Sequence, residues 1–495
     1  MEETVLQLCG VSKSFSGVDA LVDVDFSVRR GEIHCLVGEN GSGKSTLIKI
    51  VSGVYKPDRG EIILNDRHYS RLTPKKSIEE GVQIIYQDFS IFPNLSVAEN
   101  IAIGRNVAMK KRMANKKTDL LIAKQIVEKI GFDVDLHARV EELDVASKQL
   151  VAICRALVND AKILIMDEPT SALTRKEVNA LFDIIKKLQG EGVSIVFVSH
   201  KLGEVFEIAD RFTILRSGKR IISAPARDLT QEDFVEYMTG RKISADTFTF
   251  NNDQSPPLLE VRGLTKRGVF EDISFTLRQG EIIGITGLLG SGKSELALSL
   301  FGAMKVDHGA ILLDGKTINN TIQDSISKRI GYVPEDRLSE GLFLPQSIRH
   351  NITSCRHKDL AGFLSLTNVT KMDRLSQQYI RELGILCNKS TDAVQMLSGG
   401  NQQKVVVARW LSTNPAVLIF NGPTIGVDIA AKYDMHGIIR KLARQGVGVL
   451  IFSDDMPEVY ANCNRIFIMK NGRFEKSLIN TDTSIEELTS MVSEQ

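Results

Sequence analysis

No stretch of this 495-residue sequence approaches the roughly 18 consecutive apolar residues that a membrane-spanning helix needs, which excludes such a span. The six cysteines (Cys9, Cys35, Cys154, Cys355, Cys387 and Cys463) contain no C-x-x-C pair. That argues against a zinc site or a disulfide framework and suits a reducing cytosol, where most of them would serve as small core residues. The formal net charge is only +1, so no bulk electrostatic case exists for nucleic acid or an anionic surface. The opening MEETVLQLCG has two early acids and no basic region ahead of an apolar segment, unlike a secretory leader.

What is present is an ordinary globular composition, 43% hydrophobic and 25% charged, in a chain long enough for two domains. The pattern G-x-x-x-x-G-K-[ST] occurs twice, as Gly38-Glu39-Asn40-Gly41-Ser42-Gly43-Lys44-Ser45 and as Gly287-Leu288-Leu289-Gly290-Ser291-Gly292-Lys293-Ser294. Each copy follows an apolar run (His34 to Val37; Ile282 to Thr286) and precedes a helical pattern, the strand–loop–helix setting the motif requires. Glycines let backbone N–H groups converge on phosphates, the helix N-terminus adds partial positive charge, and the lysine reaches the outer phosphates. Ser45 and Ser294 each offer a hydroxyl to Mg²⁺, and Thr46 continues the first loop onto its helix.

Other landmarks repeat in the same order. Ile163-Leu164-Ile165-Met166 leads into Asp167-Glu168-Pro169-Thr170, and Val417-Leu418-Ile419-Phe420 into Asn421-Gly422-Pro423-Thr424. The offset is 254 here and 249 between the two lysines, so the repeat is a duplicated domain and not a solenoid unit. The expected division is 1–243, a short exposed linker at 244–257, and 258–495. Alternating strand and helix patterns predict a largely parallel α/β sheet in each half.

On these residues the chain strongly resembles the ATP-binding-cassette ATPases over nearly its whole length. It is most similar to the duplicated ATPase subunit of bacterial monosaccharide importers of the ribose/galactose/xylose type. Leu397-Ser398-Gly399-Gly400-Asn401-Gln402-Gln403-Lys404 carries that likeness, as does Tyr332-Val333-Pro334-Glu335-Asp336-Arg337, which stands where an ordinary cassette has its glutamine loop. The resemblance implies two tandem P-loop domains, each with a RecA-like core, an antiparallel β subdomain and a helical subdomain. It also implies head-to-tail pairing, each ATP lying between one module's phosphate loop and the other's signature, here Ser398, Gly399, Gly400 and Gln402. Implied partners are a membrane permease dimer and, through it, an extracytoplasmic sugar-binding protein, with no nucleic acid. The implied location is peripheral, on the cytoplasmic face of the cell membrane. The segment of roughly 89–100 is the expected permease contact, as a helix.

By the same likeness, module one is catalytically complete. Lys44 and Ser45 hold phosphate and Mg²⁺, Gln87 senses metal and the attacking water, and Asp167 supports the metal. Glu168 is the general base, His200 contacts the γ-phosphate, and Phe15 is the candidate to stack on adenine. Singly, an Asp-Glu pair is more often a helix cap and a Phe near a strand more often core; order and spacing raise the set above its members. In module two Asn421, Gly422, Asp454 and Glu335 stand at the positions of Asp167, Glu168, His200 and Gln87, which predicts severely impaired hydrolysis around an intact loop. The signatures are degraded the other way, for Asp144 replaces the phosphate-binding serine in module one. A carboxylate ~4 Å from a phosphate charge costs about 4 kcal/mol at an intermediate dielectric.

Three other readings compete. Ribosome-acting two-cassette proteins carry a long basic linker, whereas 244–257 holds no Lys or Arg. DNA-repair relatives carry cysteine pairs, which are missing. A regulatory ATP-binding protein without turnover conflicts with the complete first module. Within the importer reading, Leu143-Asp144-Val145-Ala146 and Arg71-Leu72-Thr73-Pro74 are similar to the ATPase of the autoinducer-2 importer, which makes that the alternative cargo.

Overall fold

The computed structural model describes residues 3–39, 41–86, 90–108, 115–170, 173–199, 201–240, 248, 255–288, 290–360 and 368–493. The chain divides into units Met1–Ile243 and Ser244–Gln495.

In the first unit the strands are β1 (Thr4–Phe15), β2 (Val18–Arg29), β3 (Ile33–Val37), β4 (Arg59–Leu64), β5 (Arg67–Tyr69), β6 (Val82–Ile85), β7 (Ile163–Asp167), β8 (Ser194–Val198), β9 (Arg211–Arg216) and β10 (Lys219–Pro225). They form two sheets, an antiparallel β2-β1-β4-β5 and a six-stranded β10-β9-β3-β8-β7-β6. The second sheet is parallel except for β10 at its edge. Its central strands are largely apolar, and β3 and β8 are buried at every residue, the polar His34 of β3 being bonded to Glu32 and Thr213. A helical group, Val97–Ala108, Lys116–Ile130 and Val145–Leu157, packs against itself beside the sheet.

The second unit repeats this order with β11 (Pro257–Lys266), β12 (Phe270–Arg278), β13 (Ile282–Thr286), β14 (His308–Leu313), β15 (Lys316–Thr317), β16 (Ile330–Val333), β17 (Val417–Asn421), β18 (Gly448–Phe452), β19 (Arg465–Lys470) and β20 (Arg473–Ile479). Its sheets run β12-β11-β14-β15 and β16-β17-β18-β13-β19-β20. A core of aliphatic side chains from β13, β17 and β18 extends to Phe301 and Trp410, whose rings meet edge to face.

Two expectations change. The 244–257 stretch is not simply an exposed linker, because Phe248 is buried and Pro257 already opens β11. Phe248 bonds through its backbone to Ala461 and Asn464. The helix expected over 89–100 begins only at Val97; residues 90–96 are turns pinned by the Asn100 side chain, which donates to the carbonyls of Phe92, Leu95 and Ser96. The cysteines stand as expected, Cys35, Cys154 and Cys463 fully buried and Cys355 and Cys387 packed against the core.

Candidate functional site

Both phosphate loops sit at the carboxyl end of a central parallel strand, β3 in unit one and β13 in unit two. Gly43 (φ 107°) and Gly292 (φ 94°) turn each loop into its helix, Lys44–Val51 or Lys293–Phe301. A β-carbon at Gly43 would meet the Ala20 carbonyl at 2.6 Å, and one at Gly292 the Val269 carbonyl at 2.8 Å, so only glycine fits. Gly38 and Gly287 are equally tight, Gly287 lying 2.2 Å from the Met469 carbonyl by the same measure. Gly41 and Gly290 are exposed at the loop tips. The Ser42 and Ser291 hydroxyls are buried and have no partner among the described residues. Buried donors without partners beside converging backbone amides are what an anion-binding loop presents.

The two lysines are held differently. Lys44 Nζ donates to the carbonyls of Gly38 (2.6 Å) and Glu39 (2.9 Å). Burial lowers its pKa, and the carboxylates of Glu168, Asp167 and Glu39 oppose that shift. Lys293 Nζ pairs with Asp454 Oδ1 at 2.6 Å and keeps only a long bond, 3.5 Å, to the Leu288 carbonyl.

At the end of β7, Asp167 is half-buried; burial and the adjacent Glu168 push its carboxyl above the usual range, against Lys44 and Lys49. Glu168 holds a left-handed backbone (φ 49°) with its N–H on the Val198 carbonyl at 3.0 Å. Gly422 repeats that geometry, with φ 57° and its N–H on the Phe452 carbonyl at 2.8 Å. The two positions are therefore equivalent by backbone as well as by sequence offset. Asn421, where Asp167 would stand, is buried and donates to the Tyr332 hydroxyl, whose pKa burial pushes up to about 12.

Gln87, His200 and Asn40 lie outside the described residues, and Ser45 (exposed) and Thr46 (half-buried) follow Lys44 on the helix. The frame around position 200 is described: Ser199 donates to Glu204 at 2.9 Å, as Ser453 donates to Glu458 at 2.6 Å. β6 and β16 pair in register with β7 and β17, Val82 opposite Ile163 and Ile330 opposite Val417, which sets Glu335 at the Gln87 position. Glu335 Oε2 lies 3.5 Å from the Ser294 hydroxyl, in a cavity of about 520 Å³ lined also by Tyr332, Arg337 and Asn421.

Phe15 is 39% exposed at the β1–β2 turn, edge-on to Tyr55 at 5.1 Å. The Ser14 and Arg267 amides both donate to an aspartate, Asp58 and Asp307, which aligns Phe15 with Gly268. Phe270 is buried, so unit two offers no ring there.

The signature positions also diverge. Asp144 caps the helix Val145–Leu157 by accepting the Ser147 amide, and this bond holds its carboxyl below the usual range. Ser398 occupies the same position before Gly399–Leu411 but makes no cap bond; its oxygen accepts from the Asn401 side chain at 2.9 Å. The first amides of that helix are thus left to an external anion. Gly399 and Gly400 lie at its start, and Gln402 is buried with its side-chain amide donating to the Val394 carbonyl at 3.4 Å. Sequence reasoning also missed Arg337. It donates to the carbonyls of Ile425 and Gly426, both at 3.1 Å, and a β-carbon on Gly399 would strike it at 2.7 Å.

Residues 21–171 and 270–425 match the family described as "ABC transporter". The chain belongs to the ABC transporter family. Among curated ABC relatives, "Putative ribose/galactose/methyl galactoside import ATP-binding protein 1" of Agrobacterium fabrum is 40% identical, covering 98% of this chain and 96% of that protein. Its Geobacillus kaustophilus counterpart is 39% identical over 100% and 98%. "Ribose import ATP-binding protein RbsA 1" of Rubrobacter xylanophilus is 38% identical over 96% and 95%. The doubled match agrees with the doubled fold, two sheets per unit in the same strand order.

Proposed function

We propose that this chain is the ATP-hydrolysing subunit of an importer that carries a monosaccharide of the ribose/galactose/xylose class, with hydrolysis confined to the phosphate loop of unit one. The observation that carries the asymmetry is the pair Glu168 and Gly422, equivalent in backbone and opposite in chemistry. Lys44 and the loop amides bind the phosphates of ATP, and the exposed Phe15 ring receives the adenine. Glu168 takes the proton from the attacking water, for which its carboxylate at the end of β7 is placed beside Asp167. His200 and Gln87 flank the γ-phosphate in this reading.

Mg²⁺ would be held by Ser45, Asp167 and Gln87, where it supplies charge neutralisation on the phosphates. The fit rests on oxygen donors only. Mg²⁺ prefers such donors and keeps phosphate and water among its ligands.

The open signature helix at Ser398, Gly399 and Gly400 is proposed to complete that site, from the same chain or a second copy. No helix among the described residues is long and apolar enough to cross a membrane, so a permease is the proposed partner that spans it. The chain would then lie at the cytoplasmic face, with a sugar-binding protein reached through the permease. Names of relatives favour a sugar over autoinducer-2. The segments behind the alternative have local duties, Thr73 capping the helix Pro74–Glu79 and Asp144 capping its own. The test is ATP turnover and sugar uptake in vesicles containing the chain, its genomic-neighbour permease and the binding protein. A Glu168→Gln chain that still hydrolysed ATP at the normal rate would defeat the reading.

A further inference from the structure

The proposed function leaves unit two with a whole phosphate loop and no catalytic base. Four observations bear on what that loop can hold. Lys293 is buried, and its ammonium is engaged by Asp454 at 2.6 Å, while the Asp454 side chain is 56% exposed at the loop's mouth. Asp454 stands one residue after Ser453, whose bond to Glu458 repeats the Ser199–Glu204 bond, so the carboxylate occupies the place assigned in unit one to the γ-phosphate contact His200. Glu335 adds a second carboxylate beside Ser294 where unit one has the neutral Gln87. Meanwhile Ser291 keeps a buried hydroxyl without a partner, next to the amides that start the helix Lys293–Phe301.

The loop is therefore equipped for phosphate near its glycines and repels charge at its outer end. A P-loop lysine serves the β- and γ-phosphates together. Here one of its two roles is already filled by a protein carboxylate, an anion 2.6 Å from the ammonium. We infer that unit two is a nucleoside-diphosphate site: Asp454 stands in for the γ-phosphate, so the loop accepts a diphosphate and disfavours a triphosphate. A diphosphate can share Lys293 with Asp454. A triphosphate must expel Asp454 from the lysine or bring its γ-phosphate against both Asp454 and Glu335.

The inference rests on the assignment of nucleotide chemistry to both loops, but its test is separable from turnover. The experiment uses the full chain carrying Lys44→Ala, which silences the unit-one loop, titrated calorimetrically with MgADP and with Mg-ATPγS. We expect ADP to bind about tenfold or more tightly than ATPγS, a like-charge contact at this range being easily worth that factor. Adding Asp454→Asn should strengthen ATPγS and bring the two within about threefold. Adding Lys293→Ala should abolish binding of both, which places the heat in unit two. Equal or tighter ATPγS binding in the Lys44→Ala chain overturns the inference. So does a ratio untouched by Asp454→Asn, binding that survives Lys293→Ala, or no binding of either nucleotide. The reading of unit one fails by a different measurement, normal hydrolysis in Glu168→Gln, and neither result predicts the other.

Discussion

The Asp144 carboxylate accepts the backbone N–H of Ser147 at 2.7 Å, closing the start of the unit-one signature helix on itself. The same turn in unit two is open, for Ser398 makes no such bond. Asp144→Ala should therefore act on stability, costing about 1 kcal/mol of helix capping and a Tm shift of a few degrees in a thermal melt. Its effect on ATP turnover should be small. Ser398→Arg should do the reverse, leaving the melt nearly unchanged and removing most turnover. Comparable turnover in Ser398→Arg and Asp144→Ala chains would refute the assigned roles.

Glu168 carries a left-handed backbone that a non-glycine residue adopts at a cost on the order of 1 kcal/mol. Glu168→Gln should lower steady-state hydrolysis at least about 100-fold by removing the proton acceptor. Glu168→Gly should be equally inactive yet no less stable than the parent, because it relieves that backbone. Denaturant midpoints of the three chains check the second half of the statement.

Restoring carboxylates in unit two should not restore catalysis. Asn421→Asp is expected to leave turnover within about twofold. Gly422→Glu should also fail and should destabilise the unit, since its β-carbon would come within 2.5 Å of the Ile425 side chain at φ 57°. A gain in turnover in the double variant, measured in a chain carrying Lys44→Ala, would contradict the asymmetric scheme.

Arg337 ties the strand-end motif to the loop at Ile425 and Gly426 and lies against Gly399. A lysine cannot hold two carbonyls with a planar fork. Arg337→Lys should lower kcat about tenfold with little change in KM for ATP, the split expected of a positioning residue on the signature side.

Acid sensitivity should have an identifiable contributor in unit one. Burial raises the Glu80 carboxyl, but bonds from Lys76, Tyr69, Asn65 and Arg67 outweigh that and bring it to about 2. A depressed folded pKa stabilises above the unfolded value, so this contribution is complete above about pH 4.5 and is lost as pH falls toward about 2. Glu80→Gln should flatten the stability profile in that window, read by urea midpoints at successive pH values.

The two P-loops, the Asp167–Glu168 pair at the end of β7 and the duplicated order were legible in the sequence because each depends on local spacing: a strand, a turn that tolerates only glycine, then a helix. Strand content followed for the same reason, since buried parallel strands such as β17 and β18 are nearly continuous apolar runs. The inward role of Gln402 was not legible, because which side of a helix faces the Val394 carbonyl depends on packing. Nor was the burial of Phe248, an aromatic in an otherwise polar stretch.

Sequence alone determined that unit two lacks the two carboxylates that unit one carries at Asp167 and Glu168, because Asn421 and Gly422 bring no charge whatever the fold. Only tertiary structure decided what its lysine does instead. Lys293 and Asp454 are 161 residues apart in the sequence, and the pair exists because β13 and β18 run side by side and parallel, delivering both residues to one end of the sheet.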